Sequence, residues 1–446
     1  MTPQRTRAAR VAPVRPQPLA GDLFGSVRTP VFWLLVGLLT VGAARLGGMV
    51  APPFARYPVA MTVAFVLFAL YAVPFVLFIA HVDRLEREPP VLLATAFAWG
   101  AVVVTVTAVP GNLAAESIVA KLVSPRFAAL WGSALAGPTV EEILKFLGVV
   151  AIAMLATSQV NSVVDGMVYG AMVGLGYQVM ENVSYAAVAV QEAGAGDRLE
   201  PVFTTFVVRG ILGGPWSHTV FTALAGAGVG YAVVRVDRSA RVRAAVAGAG
   251  LGGAWLCHFA WNSPLLADGL GVGVAGRLAA LVVKGAPVLA LVLGLAWLAR
   301  RREDAYYAGV LSALGDPWIV TPAELRAMCS LGGRAALRRA AYSRAGAAGE
   351  RAARRLQESQ ARLAVELSRG IAAASGRGGA AEEGRLTPAA VDRAREVLRA
   401  RHALAALTLP TADRRPFAGS VVMWLIGAWV TVGSALGLAL MLRALT

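Results

Sequence analysis

Charged residues are scarce in this sequence. They make up 15% of its 446 residues, whereas about 25% is usual for soluble proteins. Apolar types make up 57%, and the mean hydropathy is +0.62. The charges gather in short segments and leave apolar runs of about 20 residues, the length that crosses a bilayer as a helix. These features exclude a single water-soluble domain and predict an all-α protein that crosses the membrane several times.

Lysine and cysteine are also rare. The lysines are Lys121, Lys145 and Lys284, so the net charge of +16 comes almost wholly from arginine. Arginine-rich loops are typical of cytoplasmic segments beside anionic lipid, and we expect no nucleic-acid partner. Cys257 lies in an apolar run and Cys329 in a charged segment, so we expect no disulfide between them.

The long apolar runs divide the chain into regions. A crossing helix needs about 17–25 residues, and this length predicts nine spans: 30–48, 58–80, 91–112, 127–156, 162–190, 213–236, 244–262, 275–299 and 418–443. The predicted regions are a disordered basic arm (1–29), a transmembrane core (30–299), an arginine- and alanine-rich helical region (300–416) and a final transmembrane helix (417–446). The expected fold is an all-α transmembrane bundle of about nine spans with a helical cytoplasmic appendage.

The basic loops orient this bundle. Arginines are concentrated in 84–88, in 235–243 and after Arg300, and such loops stay on the cytoplasmic side. The acidic loop 191–200 then lies outside. This orientation predicts a cytoplasmic amino terminus and an extracytoplasmic carboxyl terminus.

Several ionisable residues lie inside the apolar runs: Glu141, Glu142, Lys145, Glu181, His218 and His258. A charged group costs on the order of 3 kcal/mol at the centre of an inserting helix, so these side chains should face a shared polar interior. Lys145 lies four residues after Glu141 and three after Glu142, so it can pair with either carboxylate and leave the other over. The pair Gly137-Pro138 predicts a helix that restarts at Pro138, which would place both carboxylates near its amino terminus.

The other ionisable residues recur with a partner four residues away on the same helix face: Tyr177 with Glu181, His218 with Thr222, and His258 with Asn262. A ridge of small residues, Gly166, Gly170 and Gly174, permits close packing of the helix that carries Glu181. In the predicted topology all these motifs lie at one depth, in the outer half of the bilayer. Convergent carboxylates and imidazoles suit hydrolysis, because they can activate water and hold a developing oxyanion.

The order of these motifs resembles the PrsW family of intramembrane proteases. The motifs are Glu-Glu-x-x-Lys at 141–145, aromatic-x-x-x-Glu at 177–181, His-x-x-x-Thr at 218–222 and His-x-x-x-Asn at 258–262, and the resemblance covers roughly 60–300. The segment Asp83-Arg84-x-Glu86-x-Glu88-Pro89 also looks like the early loop of that family. The pattern of glutamates before histidines is similar to the wider CAAX-processing protease superfamily. Tyr177 replaces the more usual phenylalanine, and region 300–416 lies outside the resemblance.

The resemblance implies a reaction and a substrate class. One of Glu141 and Glu142 would be the general base for the attacking water, while the other pairs with Lys145. The substrate would be a single-span membrane protein, such as an anti-sigma factor, cut near the outer face of a bacterial plasma membrane.

The resemblance implies two alternative roles for the histidines. His218 and His258 could bind Zn²⁺ or another divalent metal together with Glu181, because two imidazoles and a carboxylate suit a catalytic zinc with one open position. Without a metal, the same histidines would hold the water and the oxyanion together with Asn262. The sequence does not decide between these two mechanisms.

Other functions fit parts of the pattern. A CAAX-like protease acting on other peptides would use the same residues in the same roles. A proton-coupled transporter would use buried glutamate, lysine and histidine as a relay, although no inverted repeat of the kind expected for transporters is visible. A non-catalytic scaffold that presents the helical appendage would tolerate alanine at Glu141, Glu142, His218 and His258.

Three further polar residues in or near the spans have simpler explanations or none. Asp165 follows Asn161-Ser162 at a predicted helix start, where an acidic residue suits the helix dipole. Arg209 is expected to extend from an interfacial segment to the membrane surface. Lys284 has no partner that the sequence predicts.

Overall fold

A computed structural model describes residues 27–82, 88–157, 159–266, 273–328, 330–376 and 387–408, and its regular elements are helices. They are α1 (Pro30–Arg56), α2 (Pro58–Val82), α3 (Pro90–Leu122), α4 (Pro125–Leu155), α5 (Val163–Ala193), α6 (Glu200–Val207, extended by a π-helical turn at Val208–Leu212), α7 (Ser217–Val234), α8 (Ala240–Asn262), α9 (Gly273–Ser312), α10 (Pro322–Met328), α11 (Leu331–Gly376) and α12 (Pro388–Thr408). The predicted all-α fold is confirmed. The final span 418–443, the arm up to residue 26 and most of the early segment (83–87) lie outside the described residues.

Among the described residues, five helices are long and apolar enough to cross a membrane by length and composition: α1, α2, α3, α7 and α9. The predicted spans on α4, α5 and α8 are also helical, with 31, 31 and 23 residues. These three helices carry most of the ionisable residues of the apolar runs. The protein is therefore an integral membrane protein, while the count of about nine spans stays a prediction.

The helix α4 passes through Pro138 without interruption. The predicted restart at Pro138 is therefore wrong, and the glutamates that follow lie in mid-helix, away from any helix amino terminus. Pro138 has no N–H to donate to the Ala134 carbonyl, but membrane helices tolerate the loss of one such bond. The residue that follows is held by side-chain contacts: the Thr139 hydroxyl donates to the Leu135 carbonyl at 2.6 Å, and the Trp255 indole of α8 donates to the Thr139 hydroxyl at 3.0 Å.

Asp165 lies in the first turn of α5, as predicted, and forms a capping box with the N-cap residue Ser162. The Ser162 hydroxyl accepts a hydrogen bond from the Asp165 backbone N–H at 3.1 Å, and the Asp165 carboxylate accepts one from the Ser162 N–H at 2.9 Å. This reciprocal capping box satisfies two backbone donors that the first helical turn leaves free. The start of α5 is thereby defined, which sets the register of the motifs further along the helix.

The helix α5 lies at the centre of the bundle because glycines line two of its faces. A Cβ atom on Gly170 would lie 2.2 Å from the Thr222 carbonyl of α7, and one on Gly174 would lie 2.1 Å from the His218 carbonyl. On another face, a Cβ on Gly176 would lie 2.0 Å from the Phe97 carbonyl of α3. Such backbone contact is possible only without side chains. The predicted glycine ridge therefore brings α5 and α7, with their motifs, into direct contact.

The part of region 300–416 that the structure describes is mainly helical, with a non-helical connection at residues 313–321. The helix α9 continues into it, and the buried pair Asp304 and Arg334, 2.9 Å apart, joins α9 to α11. Arg401 of α12 contacts Glu324 of α10 at 2.6 Å. Burial alone would raise the pKa of Glu324, but hydrogen bonds from Arg401 and from the Thr321 backbone N–H bring that pKa below its ordinary value.

Substitution of Gly170 by alanine should destabilise the bundle. The added Cβ would lie 2.2 Å from the Thr222 carbonyl, so α5 and α7 must separate, and overpacking of this kind costs about 1–3 kcal/mol. Thermal unfolding of the purified protein in detergent would measure the effect. Gly248→Ala on α8 is the matched control, because its Cβ would meet nothing within 4 Å. Equal melting temperatures for the two variants would contradict the assignment of the α5–α7 contact.

Candidate active site

Two glutamates and one lysine of α4 form the buried centre of the site. Glu141, Glu142 and Lys145 are 3%, 0% and 0% exposed. Lys145 Nζ lies 3.2 Å from Glu141 Oε2 and 2.8 Å from Glu142 Oε1. The lysine therefore pairs with both carboxylates at once, whereas the sequence predicted that one of them would be left over.

His218 of α7 joins this centre through its Nδ1 atom. Lys145 Nζ lies 2.9 Å from His218 Nδ1, and His218 Nε2 lies 3.0 Å from Glu181 Oε2. An ammonium group can only donate hydrogen bonds, so Nδ1 is the acceptor. The imidazole proton is then on Nε2, which donates it to the Glu181 carboxylate. His218 thus connects the α4 centre to Glu181 of α5.

His258 of α8 closes the centre from the other side. Its Nδ1 lies 2.9 Å from Glu142 Oε1, and its Nε2 lies 3.1 Å from the Asn262 amide nitrogen. The Asn262 amide also donates to the Ser133 carbonyl at 3.4 Å, which agrees with its nitrogen facing the ring. His258 therefore donates from Nδ1 to Glu142 and accepts at Nε2 from Asn262.

Two contacts of the site were not predicted. Asn112 of α3 donates from its amide to Glu141 Oε1 at 2.9 Å, so this carboxylate has a partner on each oxygen. The Tyr177 ring centroid lies 4.3 Å from Lys145 Nζ, a cation–π contact. Asn112 was detectable as a polar residue at the end of a predicted span, but its partner depends on how α3 packs on α4.

Arg209 belongs to the site, and its predicted position at the membrane surface is wrong. Its guanidinium donates to Glu181 Oε2 at 2.5 Å and to Asn182 Oδ1 at 2.9 Å, and it lies 3.7 Å from the Tyr185 ring centroid. The π-helical turn Val208–Leu212 carries Arg209 toward α5. Regular helix periodicity does not predict a π turn, which explains why the sequence did not place this side chain.

Lys284 has a structural role next to the site. Its ammonium donates to the Trp261 and Ser263 carbonyls at 3.2 and 2.9 Å, and to the Ser263 hydroxyl at 3.4 Å. These carbonyls lie at the carboxyl end of α8, where a cation stabilises the helix dipole. Lys284 thereby holds the end of α8 that carries His258 and Asn262.

The donor atoms at the centre suit a metal ion. Glu141, Glu142, His218 and His258 each offer one ligand atom, and these atoms lie within 4.8 Å of one another. Glu142 Oε2 is buried and has no hydrogen-bond partner. Carboxylate oxygens and imidazole nitrogens are common zinc ligands, so the residues fit a divalent cation.

The geometry keeps both histidines of the predicted ligand set but replaces Glu181 by Glu141 and Glu142. Glu181 was predicted to bind metal with His218 and His258, but it lies on the far side of the His218 ring, where Arg209 and His218 Nε2 occupy its Oε2. The two α4 glutamates face the histidines instead. Lys145 Nζ contacts three of the four candidate ligands, so an ion and the ammonium would compete for the same lone pairs.

The cluster carries excess negative charge. Three carboxylates, on Glu141, Glu142 and Glu181, face two cations, Lys145 and Arg209. With both imidazoles neutral, one negative charge is left without a counterion inside a membrane protein, where such a charge is costly. An additional proton or a bound cation would relieve this cost. The arrangement can therefore accept a proton, as a general base does, or hold a positive ion, as a metal site does.

Comparison with known proteins gives one family. Residues 88–298 match a family described as PrsW family intramembrane metalloprotease. The matched segment contains every residue of the cluster described above. No curated protein and no solved structure matches the chain. The likeness to the wider CAAX-processing superfamily stays a prediction.

Substitution of Lys145 by methionine should destabilise the protein and increase its response to zinc. The variant leaves two buried carboxylates without their ammonium partner, and breaking a buried pair in this way costs about 3–5 kcal/mol. A divalent cation would then supply the missing charge without competition. We expect added Zn²⁺ to raise the melting temperature of Lys145→Met more than that of the wild type. Lys121→Met, at an exposed position on α3, is the control, and equal Zn²⁺ shifts in all three proteins would contradict this site.

Proposed function

The chain belongs to the PrsW family of intramembrane proteases through residues 88–298, and from this premise we propose that the cluster hydrolyses a peptide bond of a membrane-anchored substrate. The observation that carries the proposal is the meeting of Glu141, Glu142, Lys145, His218 and His258 within one buried centre. These residues come from three helices. Burial of so many ionisable groups in a membrane protein costs free energy, and clusters of this kind are typical of functional sites.

Glu142 is the general base in this proposal. Both oxygens of Glu141 already accept hydrogen bonds, from Asn112 and from Lys145. Glu142 Oε2 has no partner, so its lone pair is available to accept a proton from water. Glu141 then holds Lys145 in position. This division of roles makes specific the prediction that one glutamate acts on water while the other pairs with the lysine.

The remaining groups act on the substrate carbonyl and on the leaving group. As Glu142 takes the water proton, the oxygen of that water attacks the carbonyl carbon, and the charge moves to the carbonyl oxygen. Lys145 places a positive charge in the centre that can stabilise this oxyanion, and the Asn262 amide can donate to it in exchange for its 3.4 Å bond to the Ser133 carbonyl. Collapse of the tetrahedral intermediate breaks the C–N bond, and the amine leaves with the proton that Glu142 returns. His258, bonded to Glu142 at 2.9 Å, orients the carboxylate during both transfers.

Glu141, His218 and His258 would hold a divalent metal beside Glu142, and when bound the metal would supply Lewis acidity toward water and the peptide carbonyl. Glu142 would then keep its role as the base, and the proton transfers above remain on the protein groups. The metal-assisted and metal-free mechanisms would share this base and differ in what stabilises the oxyanion.

The predicted topology supports a single-span substrate cut near the outer face. The cluster lies at the depth at which Glu181, His218 and His258 meet, in the outer half of the predicted bilayer. A cavity of about 260 Å³ lies beside it, lined by α6, by Asn262 and by the first part of α9. An unwound peptide can reach Asn262 through this cavity. A membrane-anchored anti-sigma factor of a bacterial plasma membrane is one substrate of this type.

A proton-coupled transporter is the alternative function that one observation favours. Glu181, His218, Lys145, Glu142 and His258 form a continuous hydrogen-bonded series, and such a series can also relay protons. The family match favours proteolysis. A cleavage assay separates the two, because a transporter leaves every candidate substrate intact.

Cleavage of single-span reporter proteins in cells should depend on Glu142. We expect Glu142→Gln to lower the cleavage rate by about 10²–10⁴-fold, since the amide cannot act as a base. His258→Ala should lower it as well, because the carboxylate loses its orienting donor. Glu192→Gln, at an exposed position in the last turn of α5, is the control and should cleave normally at matched membrane levels.

Full cleavage by Glu142→Gln would rule out the proposed base. Unchanged cleavage by Glu142→Gln, Glu141→Gln, His218→Ala and His258→Ala together would rule out the protease site. Chelation of the purified wild type then distinguishes the two mechanisms: loss of cleavage that Zn²⁺ restores indicates the metal-assisted reaction, and cleavage that persists indicates the metal-free one.

A further inference from the structure

We propose that Arg209 is a positioning residue that holds Glu181 against His218, so that the His218 proton stays on Nε2 and the Nδ1 lone pair faces the buried centre. The role of this lone pair in catalysis rests on the proposed function. The position of the proton does not, and it can be measured separately.

Arg209 and His218 meet on a single oxygen atom. Arg209 Nη2 lies 2.5 Å and His218 Nε2 lies 3.0 Å from the same atom, Glu181 Oε2. A charge-assisted bond of this length orients the carboxylate strongly. The oxygen that faces His218 is therefore held as an ionised acceptor, and an ionised acceptor requires a proton on Nε2.

The backbone around Arg209 is itself anchored. The π-helical turn Val208–Leu212 is followed by Gly214, whose φ is +80°, and by Pro215. The Gln178 amide of α5 donates to the Pro215 carbonyl at 2.9 Å, and the Tyr71 hydroxyl donates to the same carbonyl. Arg209 itself is held by Asn182 at 2.9 Å. The guanidinium is thus fixed to α5 independently of its bond to Glu181.

Loss of Arg209 would remove the ion pair that holds the Glu181 carboxylate in place. Lys145 is the other cation of the cluster, and His218 lies between it and Glu181. Without the guanidinium, the carboxylate is free to turn from the ring. The His218 ring can then rotate away from Lys145, and in a rotated ring the proton can lie on either Nε2 or Nδ1. Such a ring no longer presents its Nδ1 lone pair to Lys145 and the centre.

The same principle applies if the centre binds metal. A ligating histidine usually donates its other ring N–H to a carboxylate, which fixes the ring orientation and raises the basicity of the ligand. Glu181 is in position to accept this hydrogen bond from His218, and Arg209 in turn donates to Glu181. Removal of such an outer partner costs about 10- to 100-fold in affinity or activity.

Nitrogen-15 NMR of the full chain labelled at histidine tests the position of the proton directly. The chain has four histidines, and comparison with His218→Gln assigns the signal. At one fixed pH, the wild type should show a protonated Nε2 and an unprotonated Nδ1 at His218. Arg209→Gln should show a mixture of both forms, and Arg209→Lys, which keeps the charge, should shift less. Arg235→Gln, which breaks the exposed pair with Asp237 at 2.7 Å, is the matched control.

A double-mutant cycle gives a second readout. Arg209→Gln should lower kcat about 10- to 100-fold with little change in KM. The variant Arg209→Gln/Glu181→Gln should be no slower than Glu181→Gln alone, since Arg209 acts through that carboxylate. Melting temperatures of all variants show whether each one is folded.

The outcomes separate this proposal from the proposed function. An unchanged His218 signal in folded Arg209→Gln, or additive effects in the cycle, would overturn the positioning role and leave the protease intact. A changed signal in a protein whose Glu142→Gln variant still cleaves would support the positioning role and overturn the proposed base. If Arg235→Gln changed the His218 signal as much as Arg209→Gln does, the positioning role would also fail.

Discussion

The arrangement of the core depends on one buried ammonium. Lys145 is fully buried, and it contacts Glu141, Glu142 and His218 within 3.2 Å. A lysine at this depth is stable only if its neighbours supply negative charge or lone pairs. Two of those neighbours come from its own helix by sequence spacing, and the third requires α7 to approach closely. The glycines of α5 make that approach possible, so the burial of the Lys145 charge depends on the close packing of α5 against α7.

The sequence predicted much of the site because helix geometry fixes which residues share a face. Spacings of three and four residues placed Lys145 beside both glutamates and Asn262 beside His258, and the structure shows both contacts. The length of the apolar runs predicted the membrane helices, since a helix needs about 20 apolar residues to cross a bilayer and few other segments contain so many. These inferences use only local periodicity, which is why they hold without a structure.

The errors arose where tertiary contacts outweigh local preference. Pro138 favours a helix start in isolation, but α4 continues through it, packed against α8 through the hydrogen bond from Trp255 to Thr139. Arg209 and Lys284 both lie on π-helical turns, Val208–Leu212 and Leu281–Gly285, which shift a side chain off the regular helical face. Their partners could not be predicted from a period of 3.6 residues. Such turns are frequent at functional sites, and both lie beside this one.

The exposed fractions of the side chains in the cluster indicate from which side a substrate would reach it. The side chains of Glu142 and Lys145 are 0% exposed, whereas those of Glu181 and Arg209 are 16% and 29% exposed. The gradient points toward α6, and the cavity of about 260 Å³ between α6, Asn262 and α9 lies on the same side. Glu181 therefore stands between the open side and the buried base. A carboxylate in that position is better suited to hold His218 than to activate water, because its oxygen is already shared by two donors. The carboxylates of α4 fit the proposed role of base better, since Glu142 Oε2 is buried and has no hydrogen-bond partner.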